Sequence, residues 1–316
     1  MRSIVEEAML EHSPLVTIVV LTYHKFDRIK NNLESIAKQE YPHIEVLIQD
    51  DGSSNFDRDY LEGLCNATLG HRKWRVHQNE QNLGTVRSFN AAIAMADGEF
   101  VFPLSQDDRF YRADAVTKLV AFFKEHPDCM SCTSYRMGEK SKKVYPNRED
   151  AQLLKSWDRN ELWCRIAYEN FISGSTIYYR TDFLKKRGCF DTDFLLVEDY
   201  PFVASMILEN HRIGFFDEIT IVYGEDGISS TMSRGEKLLA DRMAFYEKYI
   251  VPNEDLIGSK WIKAYIAYLY GDIRCGQSVA RRIWHHLRSW KVVVRLLYEK
   301  YVRRLTVEER YHLWKQ

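Results

Sequence analysis

No apolar stretch in the chain reaches the length that crosses a bilayer, and no second Cys-x-x-Cys accompanies Cys129 and Cys132. The first absence excludes a membrane-spanning helix. The second removes a four-cysteine zinc site and leaves the six cysteines as buried thiols of a reducing compartment. One charge does not outweigh the other: 44 basic and 45 acidic residues give a net charge of -1, which excludes a nucleic-acid binder steered by its overall field. Internal repeats and low-complexity segments are also missing. The opening segment MRSIVEEAMLEHSP has no apolar core and is too acidic for a signal peptide. The expectation is a cytoplasmic protein, able to lie against the inner face of a membrane.

What is present suffices for a sizeable core: 316 residues, 45% hydrophobic and 28% charged. LVTIVVL, residues 15–21, is a continuous apolar and β-branched run, as in a strand buried on both faces. Ile29, Leu33, Ile36 and Ala37 then recur at helical spacing, with Asp27 or a neighbour as cap. IEVLIQ, WRVHQN and Phe100–Leu104 predict further strands, and residues 59–69, 85–96 and 114–127 predict helices between and after them. Strand and helix alternate over the first 130 residues, which predicts an α/β fold whose mostly parallel central sheet is flanked by helices. FISGSTIYYR, 171–180, predicts a strand with a glycine turn, and residues 200–210, 236–250 and 258–274 predict helices.

Ligands of such sheets collect beyond the carboxyl ends of the strands. Two of those ends carry adjacent acids: Asp50-Asp51, ahead of Gly52, and Asp107-Asp108. Paired carboxylates repel unless solvated, hydrogen-bonded or neutralised by a cation, and hard oxygen ligands suit magnesium or manganese with substrate phosphates completing the shell. A third acidic pair, Glu198-Asp199, opens an apolar-patterned helix, where Asp199 serves either as a cap or as a general base.

Taken in order, TIVVLTYHKFDRIKNNLESIAKQ, LIQDDGSSNFD, NLGTVRSFNAAIAMADGEFVFPLSQDD, FISGSTIYYR and LLVEDYPFVASMI resemble inverting family 2 glycosyltransferases of the bacterial surface-polysaccharide or lipopolysaccharide type. The resemblance implies a GT-A nucleotide-diphospho-sugar transferase fold. It implies a catalytic domain over 1–235, with a donor half at 14–130 and an acceptor half at 131–235, followed by a helical C-terminal extension at 236–316. Thr22 and Tyr23 would lie near base and ribose, Asp51 would accept from uracil N3, Asp50 would support the turn, and Gly52 would let the backbone leave tightly. Arg87 and Asn90 would sit near the nucleotide, Arg87 on phosphate. Where the family's motif has Asp-x-Asp, this chain has Ser105-Gln106-Asp107, so Asp107 becomes the chief protein ligand to Mn2+ or Mg2+. Asp108 would support it or orient the donor sugar, and Ser105 could reach the ribose. Asp199 matches the base, ionised at neutral pH like an unperturbed Asp, with Glu198 orienting acceptor or loop. The donor implied is a UDP-sugar, the transferred group a hexosyl or N-acetylhexosaminyl unit, and the acceptor a saccharide or lipid-linked saccharide in lipopolysaccharide or capsule assembly.

Other segments stay open. Residues 224–234 could close over the diphosphate, His211 and Arg212 follow the acceptor-side helix, either feature being open to an ordinary surface reading, and Trp157, Trp163 and Tyr168 either shape an acceptor groove or fill the core. From Gly276 to Leu305 eight Lys and Arg residues with interleaved aromatics face a single acid, Glu299. Such a segment rests on an anionic bilayer, or packs on the main domain or another subunit. Competing readings are a non-catalytic nucleotide-sugar or glycan-binding protein, kept alive by Ser105, and a nucleotidyltransferase, which lacks its glycine-rich phosphate loop here. A dinucleotide oxidoreductase is disfavoured because LTYHKFD has no glycine fingerprint.

Overall fold

The computed structural model describes residues 13–225 and 235–315. The acidic N-terminal segment through residue 12, and all but the first two residues of the 224–234 loop, lie outside the described residues, as does Gln316.

β1 (Val16–Thr22) lies between β2 (Ile44–Asp50) and β4 (Phe100–Ser105), parallel to both, and β2 is parallel to β3 (Lys73–Gln78). The crossovers carry α1 (Ile29–Ala37), α2 (Arg58–Leu69) and α3 (Thr85–Met95). Strand side chains alternate between faces, so Val19, Leu47 and Val101 enter one core while Ile18, Val20, Val46 and Ile48 enter the other. Both faces are apolar because both are covered.

The chain continues through β5 (Arg109–Phe110), α4 (Ala115–Glu125), β6 (Ser131–Gly138), β7 (Val144–Tyr145), α5 (Arg148–Ser156), α6 (Arg159–Tyr168), β8 (Tyr178–Arg180), α7 (Thr181–Lys186), α8 (Asp199–Leu208) and β9 (Ile213–Tyr223). The strand order is β3-β2-β1-β4-β8-β6-β9-β5, with β7 on β6. β8 is antiparallel to β4 and β6, whereas β6 and β9 run parallel. The strand expected over 171–180 is confined to its last three residues, because Gly174–Thr176 form a 3-10 turn packed beneath the start of α8. Asp27 does not cap α1, whose N-cap is Arg28 with no side-chain cap.

The C-terminal extension is helical: α9 (Glu236–Phe245), α10 (Lys260–Cys275), α11 (Val279–Arg288), α12 (Trp290–Leu297) and α13 (Val307–Lys315). Phe245, Ile262, Ile266, Tyr311 and Trp314 join the same core as α3, α6 and α8. Trp163 and Tyr168 are buried there and Trp157 packs against it, so these rings fill the core and do not shape an acceptor groove. All six cysteines are free thiols.

Beneath this core Arg165 grips Asp150 with two hydrogen bonds, 2.8 and 2.9 Å, and both side chains are 2% exposed. Removing one partner strands the other charge in the interior. Asp150→Ala is expected to lower unfolding free energy by about 3–5 kcal/mol, and replacing both residues by Leu and Met to restore most of it. Urea unfolding of the two variants checks this.

Candidate functional site

β1, β2 and β4 end side by side, with Thr22 opposite Asp50 and Leu21 opposite Ser105. Their terminal loops are stitched together. Asp50, fully buried, accepts from Thr22 Oγ1 at 3.0 Å, Ser53 N at 2.8 Å and Ser53 Oγ at 2.6 Å. Through Ser53 it ties down the turn that follows β2. Thr22 is buried with its hydroxyl on Asp50, so it builds the floor of the site and is not a contact for the base; Tyr23 beside it is half-buried. The backbone N–H of Tyr23 donates to Gln106 Oε1 at 3.3 Å, joining the first loop to the third.

Asp51 is buried too, and four donors converge on it. Oδ1 accepts from Asn79 Nδ2 (3.1 Å), Leu83 N (2.7 Å) and Ser88 Oγ (2.6 Å), and Oδ2 accepts from Gly84 N (3.0 Å). Only Oδ2 keeps a lone pair for a ligand. Gly52 makes this closure feasible. Its φ is +73°, and a Cβ there would sit 2.4 Å from the carbonyl carbon of Gln81.

At the end of β4, adjacent acids have opposite fates. Asp108 is 1% exposed and turns inward; its Oδ1 accepts from Gly224 N at 2.8 Å. Burial, and then the charge of Asp107, push its carboxyl well above the usual range. Orienting a donor sugar is therefore not open to Asp108. Asn32 of α1 holds the turn by donating to the carbonyls of Ser105 (2.8 Å) and Asp108 (2.9 Å). Asp107 and Ser105 remain half-buried. Asp107 lines a polar cleft of about 160 Å³ with Arg28, Asn32, Arg109 and Glu139, where Glu139 bridges Arg28 (2.6 Å) and Arg109 (3.4 Å). Among the described residues no three His, Cys, Asp or Glu side chains cluster to hold a metal by themselves. The donor set at this strand end is one half-buried carboxylate, which fits a hard cation whose remaining oxygen ligands come from a diphosphate.

The third acidic pair sits at the start of α8, Glu198 as N-cap and Asp199 as first residue. Asp199 Oδ2 accepts from Asn170 Nδ2 (3.2 Å) and Gly174 N (2.9 Å), and Oδ1 accepts from Tyr200 N (2.7 Å). A Cβ at Gly174 would lie 2.7 Å from Glu198 Oε1 and 3.2 Å from Asp199 Cβ, so a larger residue would displace the Glu198 carboxyl. Burial raises both carboxyls; for Glu198 the charge of Asp199 adds to it and carries the group up to about 8. Asp199 is thus not the unperturbed acid expected from sequence. Three donors nevertheless favour its ionised form, so the proton of the pair belongs on Glu198. The approach to this pair is fixed from the C-terminal extension: buried Asp241 of α9 accepts from the N–H groups of Leu195 (2.9 Å), Leu196 (2.7 Å) and Val197 (3.1 Å).

Arg87 is exposed on α3 and donates to the carbonyl of Thr192 at 3.1 Å, while Asn90 exchanges two hydrogen bonds with the backbone of Phe190. Asn90 is thereby a brace and not a nucleotide contact. His211 and Arg212 are surface residues. Sequence reasoning missed Asn32, Asn170, Gly174 and Asp241. Of these only Gly174 carried a signal, as a glycine inside an otherwise strand-like run.

A family model, Glycosyl transferase family 2, matches residues 17–193, which spans both Asp pairs and stops short of Asp199. Among curated proteins, an uncharacterized glycosyltransferase of Haemophilus influenzae is 21% identical over 93% of this chain and 87% of its own length. The putative colanic acid biosynthesis glycosyl transferase WcaA of Escherichia coli is 23% identical over 76% of this chain and 83% of its own. Among solved structures, the mannosyltransferase PcManGT from Pyrobaculum calidifontis, in complex with GDP-Man and Mn2+, has 17% identity and a TM-score of 0.62 across 97% of this chain and 87% of that one. S. aureus TarS 1-349 in complex with UDP-GlcNAc has 19% identity and a TM-score of 0.55, covering 92% of each. At these identities the likeness is one of fold, that of the GT-A glycosyltransferases.

The raised carboxyl of Glu198 has a consequence for stability. Folded protein keeps this proton where the unfolded chain has lost it, so the group's contribution declines as pH rises from about 4.5 to about 8. Glu198→Gln is expected to match the parent at the acidic end of that window and to be the more stable protein at its alkaline end. Urea midpoints across the pH series test this, and a variant no more stable at pH 8 than the parent would overturn it.

Proposed function

The chain belongs to glycosyl transferase family 2, and from that premise we propose that it is an inverting enzyme transferring a sugar from a UDP-sugar to a hydroxyl of a saccharide or lipid-linked saccharide. The observation that carries the reading is the selection among acids. Asp50, Asp51 and Asp108 are buried and bonded to the protein's own donors, and Glu198 holds a proton. Asp107 and Asp199 are half-buried carboxylates of two different loops, Asp107 lining the polar cleft and Asp199 keeping a lone pair on Oδ1, one suited to the leaving diphosphate and one to the attacking hydroxyl.

In the proposed reaction Asp199 takes the acceptor proton on Oδ1, which has one lone pair uncommitted. The acceptor oxygen bonds to the anomeric carbon as the bond from that carbon to the diphosphate oxygen breaks on the opposite face. Configuration inverts once and UDP leaves with the electron pair. Asn170, Gly174 and Tyr200 hold the carboxylate in orientation, and the proton retained on Glu198 spares Asp199 a second negative charge at contact distance. Asp107 is the residue that would hold Mn2+ or Mg2+, and the bound cation would offset charge developing on the diphosphate. Ser105 adds a neutral oxygen where the family motif has an acid. On the donor side, Asp51 Oδ2 is the atom available to a base N–H, and Arg87 is exposed for a phosphate.

The relative named for colanic acid biosynthesis supports a polysaccharide setting. UDP-GlcNAc in one structural neighbour and GDP-Man with Mn2+ in another support a nucleotide-sugar donor, with the base as the choice to test. Calorimetry with UDP and GDP, each with and without Mn2+, is the direct experiment. UDP is expected to bind more tightly with Mn2+, and Asp107→Ala to remove that gain. Asp199→Asn is expected to leave UDP binding intact and to lower transfer by about 10²–10⁴-fold. Full transfer by Asp199→Asn would overturn the base, and no nucleotide binding by the parent would overturn the donor.

A further inference from the structure

α11 and α12 are built inside out. The side of α11 turned to α10 is polar: His285 Nε2 meets the Tyr268 carbonyl at 2.8 Å, its ring stacks on Tyr268, and His286 and Arg282 face Asp272. Its apolar residues point the other way. Val279, Ile283 and Leu287 recur every four positions beside Trp284, and they are 69, 56, 67 and 72% exposed in that order. α12 repeats the arrangement. Val292 and Arg295 face inward, Arg295 over the ring of Trp261, while Trp290, Val294, Leu297 and Tyr298 are exposed. An ordinary surface helix buries its apolar stripe and shows its polar one. Two successive helices do the reverse, and each leaves its apolar side uncovered.

The charges beside this face say what covers it. Arg281, Arg288, Lys291, Lys300, Arg303 and Arg304 have no acidic partner among the described residues. The one acid between residues 276 and 305, Glu299, is buried against Arg295 and Trp314 Nε1. A second copy docked by a two-fold axis would set these six cations against the same six. An anionic surface would neutralise them. No described helix is long and apolar enough to cross a membrane, and helices of eight and ten residues with an apolar side flanked by cations fit an in-plane seat on one. We propose that α11 and α12 are an in-plane docking site for an anionic lipid bilayer, their Trp and Leu side chains entering the headgroup region and the flanking Lys and Arg pairing with lipid phosphates. The proposal rests on the two helices and is independent of the transfer reaction above.

Sedimentation of the full chain with vesicles tests it. The chain is expected to bind vesicles of equal parts phosphatidylglycerol and phosphatidylcholine, and to lose that binding as salt is raised. Pure phosphatidylcholine vesicles should retain far less. Arg281→Ser, Arg288→Ser and Lys291→Ser together are expected to weaken binding about a hundredfold, at about fivefold for each basic residue near the surface. Trp284→Glu with Leu287→Glu should abolish it. These side chains are exposed, so circular dichroism and nucleotide binding should not change in either variant. No binding to anionic vesicles, or equal binding to both compositions, overturns the proposal. A dimer in solution that Leu287→Glu dissolves, without vesicle binding, assigns the face to a second copy instead.

Discussion

The Asp51 carboxylate is the constraint on which the site depends. It gathers a side-chain amide, a hydroxyl and two backbone N–H groups from residues 79–88 onto the end of β2. Each of those donors would cost about 1–3 kcal/mol if left buried and unpaired. The gathering fixes Gly84, and Gly84 fixes more. The Leu195 carbonyl lies 2.6 Å from where a Gly84 Cβ would be, and it accepts from Val86 N at 3.2 Å. The same residue, with Leu196 and Val197, is held from the other side by Asp241. Two buried carboxylates thus clamp the segment that delivers Glu198 and Asp199, one at the end of β2 and one from α9.

This arrangement explains why so many acids crowd one end of the sheet. Most are structural anchors, stabilised by aimed N–H groups and not by counter-ions, which is how a carboxylate can be buried at tolerable cost. Anchoring acids by donors from distant segments also sorts them. Asp107 and Asp108 are neighbours in sequence, yet Gly224 N captures only the second. Glu198 and Asp199 are neighbours too, yet three of the donors around them go to Asp199 alone, so their proton affinities separate. Pairs of like groups driven apart in this way are the usual substrate of acid–base assignment.

The parallel half of the sheet was legible because its signal is local. LVTIVVL and IEVLIQ carry apolar residues on both alternating faces, broken only by Thr17, Glu45 and Gln49, and strands covered on both faces require that. The acidic strand ends were legible for the same reason, since where a strand stops is written in its own residues. Which acid of a pair turns inward was not legible. That is decided by Asn32, Gly224 and Asn170, which lie far away along the chain. Thr22 and Asn90 show the same limit: each is polar and near the site, but each finds a partner inside the protein. The role of Asp241 left no trace, because an acid within a helical segment reads as solvated until the amides of residues 195–197 are brought against it.

The C-terminal helices combine two opposite designs in one segment. α9, α10 and α13 bury Phe245, Ile262, Ile266 and Trp314 in the common core, and α9 reaches the candidate site through Asp241. α11 and α12 contribute Val292 to that core, pack Leu296 against it and turn Val279, Ile283, Trp284, Leu287, Trp290, Val294 and Leu297 outward. The inward part is therefore rigidly coupled to the loop that carries Asp199, while the outward part faces solvent. Anything that holds the outward face also fixes the orientation of the sheet's carboxyl end relative to it, because the intervening helices share one packed core and interiors of that density do not deform independently.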